Sequence, residues 1–137
     1  MQFEPAGVTS VSGIEKGIFT CYEVKSCKAD VYSGNGLNFV GEKNYIVTTM
    51  ECYKNILQDI NSGKLANHIK SCFTGNSATF GIMVAVPYMS EIIDEFDDPT
   101  PLDLNLAWEL KIIIPCRPAL RKKSITELLF CMLRSGH

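Results

Sequence analysis

Leu102, Leu104, Leu106, Trp108, Leu110, Ile112 and Ile114 are apolar at every second position and alternate with Asp103, Asn105, Ala107, Glu109, Lys111, Ile113 and Pro115. Successive strand side chains point to opposite faces, so this pattern predicts a strand over 102–115 with one buried face and Trp108 as a core residue at its centre. Residues 77–89 set Ala78, Phe80, Ile82, Val84, Val86 and Tyr88 on one face, with Thr79, Gly81, Met83, Ala85 and Pro87 on the other. That is a central strand with one packed face and one covered by smaller residues. From Ile18 to Tyr32 the residues are β-branched, aromatic or small, and the apolar phase switches near Lys25-Ser26, which predicts one long strand with a bulge or bend. Ser33-Gly34-Asn35-Gly36 then carries the Asn-Gly signal of a tight hairpin turn, with Leu37 to Val40 returning as a short strand.

Helical spacing appears in Tyr45, Ile46, Thr49, Cys52, Tyr53, Ile56, Leu57 and Ile60, and Asn61-Ser62-Gly63 supplies a stop, predicting an amphipathic helix of about four turns. Leu65, Ile69, Cys72 and Phe73 continue the period until Gly75-Asn76, so the two helices form a pair. Ser124-Ile125-Thr126-Glu127 is a capping box, and Ile125, Leu128, Leu129, Met132 and Leu133 form the apolar stripe of a terminal helix that should dock on the sheet. Residues 1–17 lack a period and are expected to be a flexible N-terminal arm. Strands and helices are grouped along the chain, which predicts a single α+β domain over 18–137. Its expected form is a mainly antiparallel sheet with the helix pair and the C-terminal helix packed on it.

Composition supports an ordinary globule: 137 residues, 46% hydrophobic and 20% charged, suffice for one core and exclude wholesale disorder, collagen and coiled coil. No apolar run approaches the ~20 residues of a spanning helix, and Glu4 stands where a secretory leader would be apolar, so an intracellular, cytoplasmic location is expected, or the virion if the source is viral. The six cysteines, at 21, 27, 52, 72, 116 and 131, include no Cys-x-x-Cys, and no Asn-x-Ser/Thr acceptor occurs. Free thiols are therefore expected.

Charge is more informative than its net value of −2, because the chain up to Glu109 carries 7 basic and 14 acidic residues and the remainder 6 basic and 1 acidic. Glu91, Asp94, Glu95, Asp97, Asp98 and Asp103 crowd the connection between the last two predicted strands, read as a solvated loop. Lys111, Arg117, Arg121, Lys122 and Lys123 flank the start of the final helix. Clustered like charges favour an opposite partner, either within the monomer or on another molecule. Aromatic residues that would stack bases are absent from 110–123, which argues against base-specific nucleic-acid recognition.

Chemistry is sparse. Only His68 and His137 could serve as histidine acid or base, and neither a Gly-x-Ser-x-Gly, a Ser-x-x-Lys nor a phosphate loop occurs. His68 and Cys72, one helical turn apart, could join Cys21 and Cys27 around zinc, but an i, i+4 pair of this kind is ordinary in a helix. The acids of 91–98 miss the spacing of an EF-hand. Cys116 beside Arg117 is the better thiol nucleophile, since a cation lowers a thiol pKa. No catalytic residue, metal or cofactor is assigned.

The order of strand, helix pair and two strands, with an unpatterned N-terminal arm and polarised charge, resembles the layout of rhabdovirus-type matrix proteins over residues 18 to 115. The resemblance rests on element order and carries no family residue onto this chain. It implies a virion component that polymerises beneath a membrane and condenses nucleocapsid. The expectation is a non-enzymatic structural protein that binds itself head to tail. The acidic side of the contact would be Glu91, Asp94, Glu95, Phe96, Asp97 and Asp98, with Leu102 adding apolar surface, and the basic side Lys111, Arg117, Arg121, Lys122 and Lys123. Nucleocapsid or an anionic membrane are further partners for the basic segment. A small thiol- or carboxylate-dependent enzyme and an intracellular regulatory adaptor are the alternatives.

Overall fold

The computed structural model describes residues 1–4, 17–33, 41–72, 79–117 and 124–135. Among these, the strands are β1 (Gln2–Glu4), β2 (Ile18–Val24), β3 (Lys43–Thr49), β4 (Gly81–Pro87) and β5 (Trp108–Ile114). The helices are α1 (Lys28–Tyr32), α2 (Met50–Ser62), α3 (Lys64–Cys72), α4 (Ile92–Asp97) and α5 (Ile125–Ser135). The strands form one sheet in the order β1-β2-β3-β4-β5. The chain is a single α+β domain. Its outer ladders, β1/β2 and β4/β5, are antiparallel, while β2/β3 and β3/β4 are parallel, so the sheet is evenly mixed where a mainly antiparallel one was expected. Parallel neighbours need crossovers, and α1 and the α2–α3 pair lie in the two crossover connections.

That difference traces to residues 45–49, which belong to β3 and not to the first helix. Asn44 to Thr48 are all buried, so β3 lacks the alternation of a half-exposed strand and its apolar positions mimic a helical period. The helix starts where Thr49 caps it, its hydroxyl accepting from Cys52 N at 3.2 Å. It stops at Gly63, whose φ of 83° is the left-handed cap anticipated from Asn61-Ser62-Gly63. Two core clusters result. Val31, Ile46, Cys52, Ile56, Leu65 and Ile69 form one, and Met50, Tyr53, Ile82, Val84 and Val86 the other, with Ile60 and Phe80 packed against both.

The expected single strand over 18–32 is two elements. β2 ends at Val24, Lys25 N donates to Val47 O at 2.9 Å, and Thr48 Oγ1 donates to Lys25 O at 2.6 Å. Ser26 N then donates to Asp30 Oδ2 at 3.0 Å, which turns the chain into α1. The switch of apolar phase marks this change of element. At the N-terminus Gln2–Glu4 is a strand, and Phe3 packs against Phe19 with ring centroids 4.5 Å apart and planes tilted by 33°. Gln2–Glu4, at the start of the arm expected over 1–17, thus pair with β2; residues 5–16 lie outside the described residues, as do Gly34 to Val40 of the expected hairpin.

The strongest alternation in the sequence has the opposite outcome to the one expected. β5 begins only at Trp108, and Leu102, Leu104 and Leu106 lie in the preceding loop, Leu104 being 96% exposed. Asp103 organises that loop: its carboxylate accepts from Asn105 N, and its carbonyl from Leu106 N and from Trp108 Nε1 at 2.8 Å. Within β5, Ile82 pairs with Ile114 but Met83 with Ile112, leaving Ile113 as an extra residue. Such a bulge reverses the face of everything beyond it. Ile114 therefore shares the helix-covered face with Ile82, whereas Leu110 and Ile112, opposite Ala85 and Met83, lie on the other face and are 53% and 50% exposed. Trp108 is half-buried at the sheet's end and not a core residue. The terminal helix has its capping box, Glu127 N donating to Ser124 Oγ at 3.2 Å, and buries Leu128, but Leu129 and Leu133 of the expected stripe are exposed.

Ile82→Ala should cost about 2–5 kcal/mol, and Ile112→Ala less than about 1 kcal/mol, although both belong to equally apolar stripes. Urea denaturation of the two variants measures this; similar losses would contradict the assigned faces.

Candidate interaction surface

The acidic segment is helical where a loop was expected. In α4, Asp94 and Asp97 are exposed, as are Glu91 before the helix and Asp98 after it. Glu95 is turned inward: its carboxylate accepts from Thr100 N and Thr100 Oγ1, each at 2.9 Å, and so ties the helix to the Pro99-Thr100-Pro101 loop. Phe96 is half-buried, edge-on to Tyr53 at 6.3 Å and beneath Lys54 Nζ at 5.0 Å. Glu95 and Phe96 are thus parts of the fold, a correction to the expected acidic contact, because the helical period directs 92 and 96 onto the core and places 95 toward the loop. The apolar side chains the surface does present are Ile93, Leu102 and Leu104, 74%, 67% and 96% exposed.

Between this helix and the sheet lies an open cavity of about 120 Å³, lined by Met50, Ala85, Pro99, Pro101, Leu102 and Trp108 and by the polar Thr49, Glu51, Glu95 and Thr100. Cofactor and drug-sized sites start near ~300 Å³, so this one has room for a single side chain. Sequence reading missed it, although Pro99 and Pro101 were a usable signal. Two prolines so close before an alternating run leave the backbone unable to pair there.

Of the expected basic residues, Lys111 is committed inside the monomer, its Nζ donating to Ser90 O at 2.8 Å and lying 3.6 Å from Glu109. The bulge puts it on the helix side of β5, which removes it from the basic surface. Arg117 is exposed, and Arg121, Lys122 and Lys123 lie outside the described residues. Cys116 is buried, with Asn44 N donating to its Sγ at 3.3 Å and the thiol 3.3 Å from Arg117 O. Reactive thiols are accessible, so this is the arrangement of a structural cysteine. Cys27, Cys52 and Cys116 are free thiols. Burial pushes the Cys52 thiol pKa up.

A second polar cluster was missed. Tyr32 OH donates to Asp59 Oδ2 at 2.6 Å, Lys28 Nζ is 3.5 Å from the same oxygen, and the His68 ring lies 4.8 Å from that of Tyr32. Asp59 falls seven residues after Cys52 on the buried side of α2, and a carboxylate in an apolar stripe was the signal for it. The Tyr32 hydrogen bond, with Lys28 and Lys64 nearby, holds the Asp59 carboxyl below its usual range, while burial and Asp59 push Tyr32 up to about 12.

No family model, curated protein or solved structure matches this chain. Among the described residues no helix is long and apolar enough to cross a membrane, and no group of three or more His, Cys, Asp or Glu is gathered as for a metal ion.

The Tyr32–Asp59 bond makes a definite pH prediction. A depressed carboxyl stabilises the fold above its ordinary pKa and loses that contribution as pH falls through the depressed value. A raised tyrosine stabilises it below the ordinary 10.0 and loses that as pH rises toward about 12. Tyr32→Phe should therefore be less stable than wild type by a constant margin between about pH 5 and 9, narrowing below about pH 4 and above about pH 10. Urea midpoints across pH check this; a margin independent of pH would mean that the bond does not form.

Proposed function

We propose that the chain is a non-enzymatic, self-assembling structural protein, matrix-like in the sense of the layout resemblance. In this reading the α4 surface of one copy receives the C-terminal segment of the next. The observation that carries it is the exposure of Ile93, Leu102 and Leu104 among Glu91, Asp94, Asp97, Asp98 and Asp103. Exposed charge pairs contribute only ~0–1 kcal/mol each, so a stable contact needs apolar burial within a charged rim, and this surface offers both. The complementary element is α5, which exposes Leu129, Phe130 and Leu133 and follows Arg117, Arg121, Lys122 and Lys123 in the chain. The cavity beside Trp108 would seat one anchor side chain from it. A contact between two different surfaces does not close on itself and propagates. Burial of Cys116 supports the structural reading over a thiol enzyme. Nucleocapsid or an anionic membrane are the further partners of the basic segment.

Light scattering should show particle size rising with protein concentration, and less steeply at high salt. Reversing Arg121, Lys122 and Lys123 should dissolve the assemblies, and adding reversal of Asp94, Asp97 and Asp98 should partly restore them. A wild type that stays monomeric at low salt, or a reversal without effect, overturns the proposal.

A further inference from the structure

The outer edge of β5 carries a self-complementary pattern. Tyr88 N donates to Ala107 O at 2.9 Å, and this pair continues the register Pro87↔Trp108, Val86↔Glu109, Ala85↔Leu110 and Val84↔Lys111. Hydrogen-bonded and non-bonded pairs alternate along an antiparallel ladder, so Ala107, Glu109 and Lys111 direct their backbone groups at β4. Trp108, Leu110 and Ile112 direct theirs away from it. Pro87, which has no N–H to give, sits opposite Trp108 at a non-bonded position, as this phase requires. Among the described residues no strand lies beyond β5. Edge strands are ordinarily shortened, or interrupted by proline, to prevent pairing. This one runs seven residues, Trp-Glu-Leu-Lys-Ile-Ile-Ile, without either; its two charged residues, Glu109 and Lys111, are of opposite sign, and its bulge at Ile113 lies outside residues 108–112.

We infer that β5 pairs antiparallel with β5 of a second copy, about a two-fold axis through Leu110, joining two sheets into one. In that register the two Leu110 residues exchange both backbone hydrogen bonds, and Trp108 faces Ile112 of the second copy in the same bonded phase. Their side chains share the face on which Leu110 and Ile112 are half-exposed. On the other face Glu109 stands opposite Lys111 of the second copy, twice by symmetry. Charge selects this register: a slip of two residues either way preserves the outward hydrogen-bond phase but sets Lys111 against Lys111 or Glu109 against Glu109. Within one monomer Lys111 Nζ already lies 2.8 Å from Ser90 O and 3.6 Å from Glu109, so the cross-strand pairs would extend this charge pair into a four-membered network and keep the contact to Ser90. The contact is isologous and stands independently of the head-to-tail reading.

The test uses the full chain carrying the Arg121, Lys122 and Lys123 charge reversals at low salt, which removes the head-to-tail contact without screening the cross-strand pairs. Sedimentation velocity should show a monomer–dimer equilibrium. Glu109→Lys should weaken the dimer about tenfold, and Glu109→Lys with Lys111→Glu should restore it, because the pairs reform with sign exchanged. Leu110→Cys, which leaves those charges in place, should oxidise to a 110–110 cross-link identified by peptide mapping, since opposed residues of a bonded pair lie about 5.5 Å apart at Cα. Ile112→Cys should give no 112–112 link. A chain that sediments as a monomer at every concentration, failure of the double exchange to restore the dimer, or linkage at 112 as ready as at 110 overturns the inference.

Discussion

Two parallel strands side by side force the chain to travel back from the end of one to the start of the next, and in this protein the connection from β3 to β4 does the covering of the sheet. α2 leaves β3 at Thr49, lays Met50, Tyr53 and Ile56 into the two core clusters, reverses at Gly63, and α3 returns with Leu65 and Ile69. Ile60 and Phe80 touch both clusters, so the halves of the core are not separable. α1 and α4 contribute Val31, Ile92 and Phe96 to the same clusters. Gly81, where β4 begins, must stay small, because a Cβ there would lie 2.5 Å from Ile114 O and from the Tyr45 ring.

Concentrating the helices on the face of Ile82, Val84 and Val86 has consequences for β5. The extra residue Ile113 lets Ile114 remain on the covered face while Leu110 and Ile112 pass to the other. The polar residues Glu109 and Lys111 consequently lie on the helix side, and there they pair with each other while Lys111 holds the carbonyl of Ser90. A half-buried lysine without such partners would be costly; with them it fastens the turn after β4 to β5.

Legibility from the sequence followed local chemistry closely and tertiary context poorly. The caps at Gly63 and Ser124, the strand over Gly81–Pro87 and the α+β class were readable, because each depends on residues adjacent in the chain. β3 was not, since burial on both faces erases the period on which strand recognition depends. The 102–114 stripe misled for a different reason. Alternation reports that two faces differ, not which is buried, and neither the Asp103 turn nor the Ile113 bulge changes the apolar pattern. At the interaction surface the clustering of acids was visible, but the inward turn of Glu95 depends on Thr100 lying within reach across the loop.

The two proposed contacts differ in symmetry, and that difference determines what they could build together. Pairing through β5 joins like to like and is complete at two copies, whereas the contact between the α4 surface and the C-terminal segment joins unlike surfaces and leaves one of each unused at every end. A dimer closed by β5 carries two acceptor surfaces and two donor helices, so head-to-tail growth from it branches instead of forming a single file. Branching in two directions is what a layer requires; a chain with either contact alone would give only dimers or filaments. The two contacts also respond differently to solution conditions. In the proposed dimer, backbone hydrogen bonds and apolar side chains would outlast salt that screens the charge pairs, whereas the charged rim would make the proposed head-to-tail contact the more salt-sensitive of the two, so ionic strength would govern growth of such a layer more than its dimeric unit.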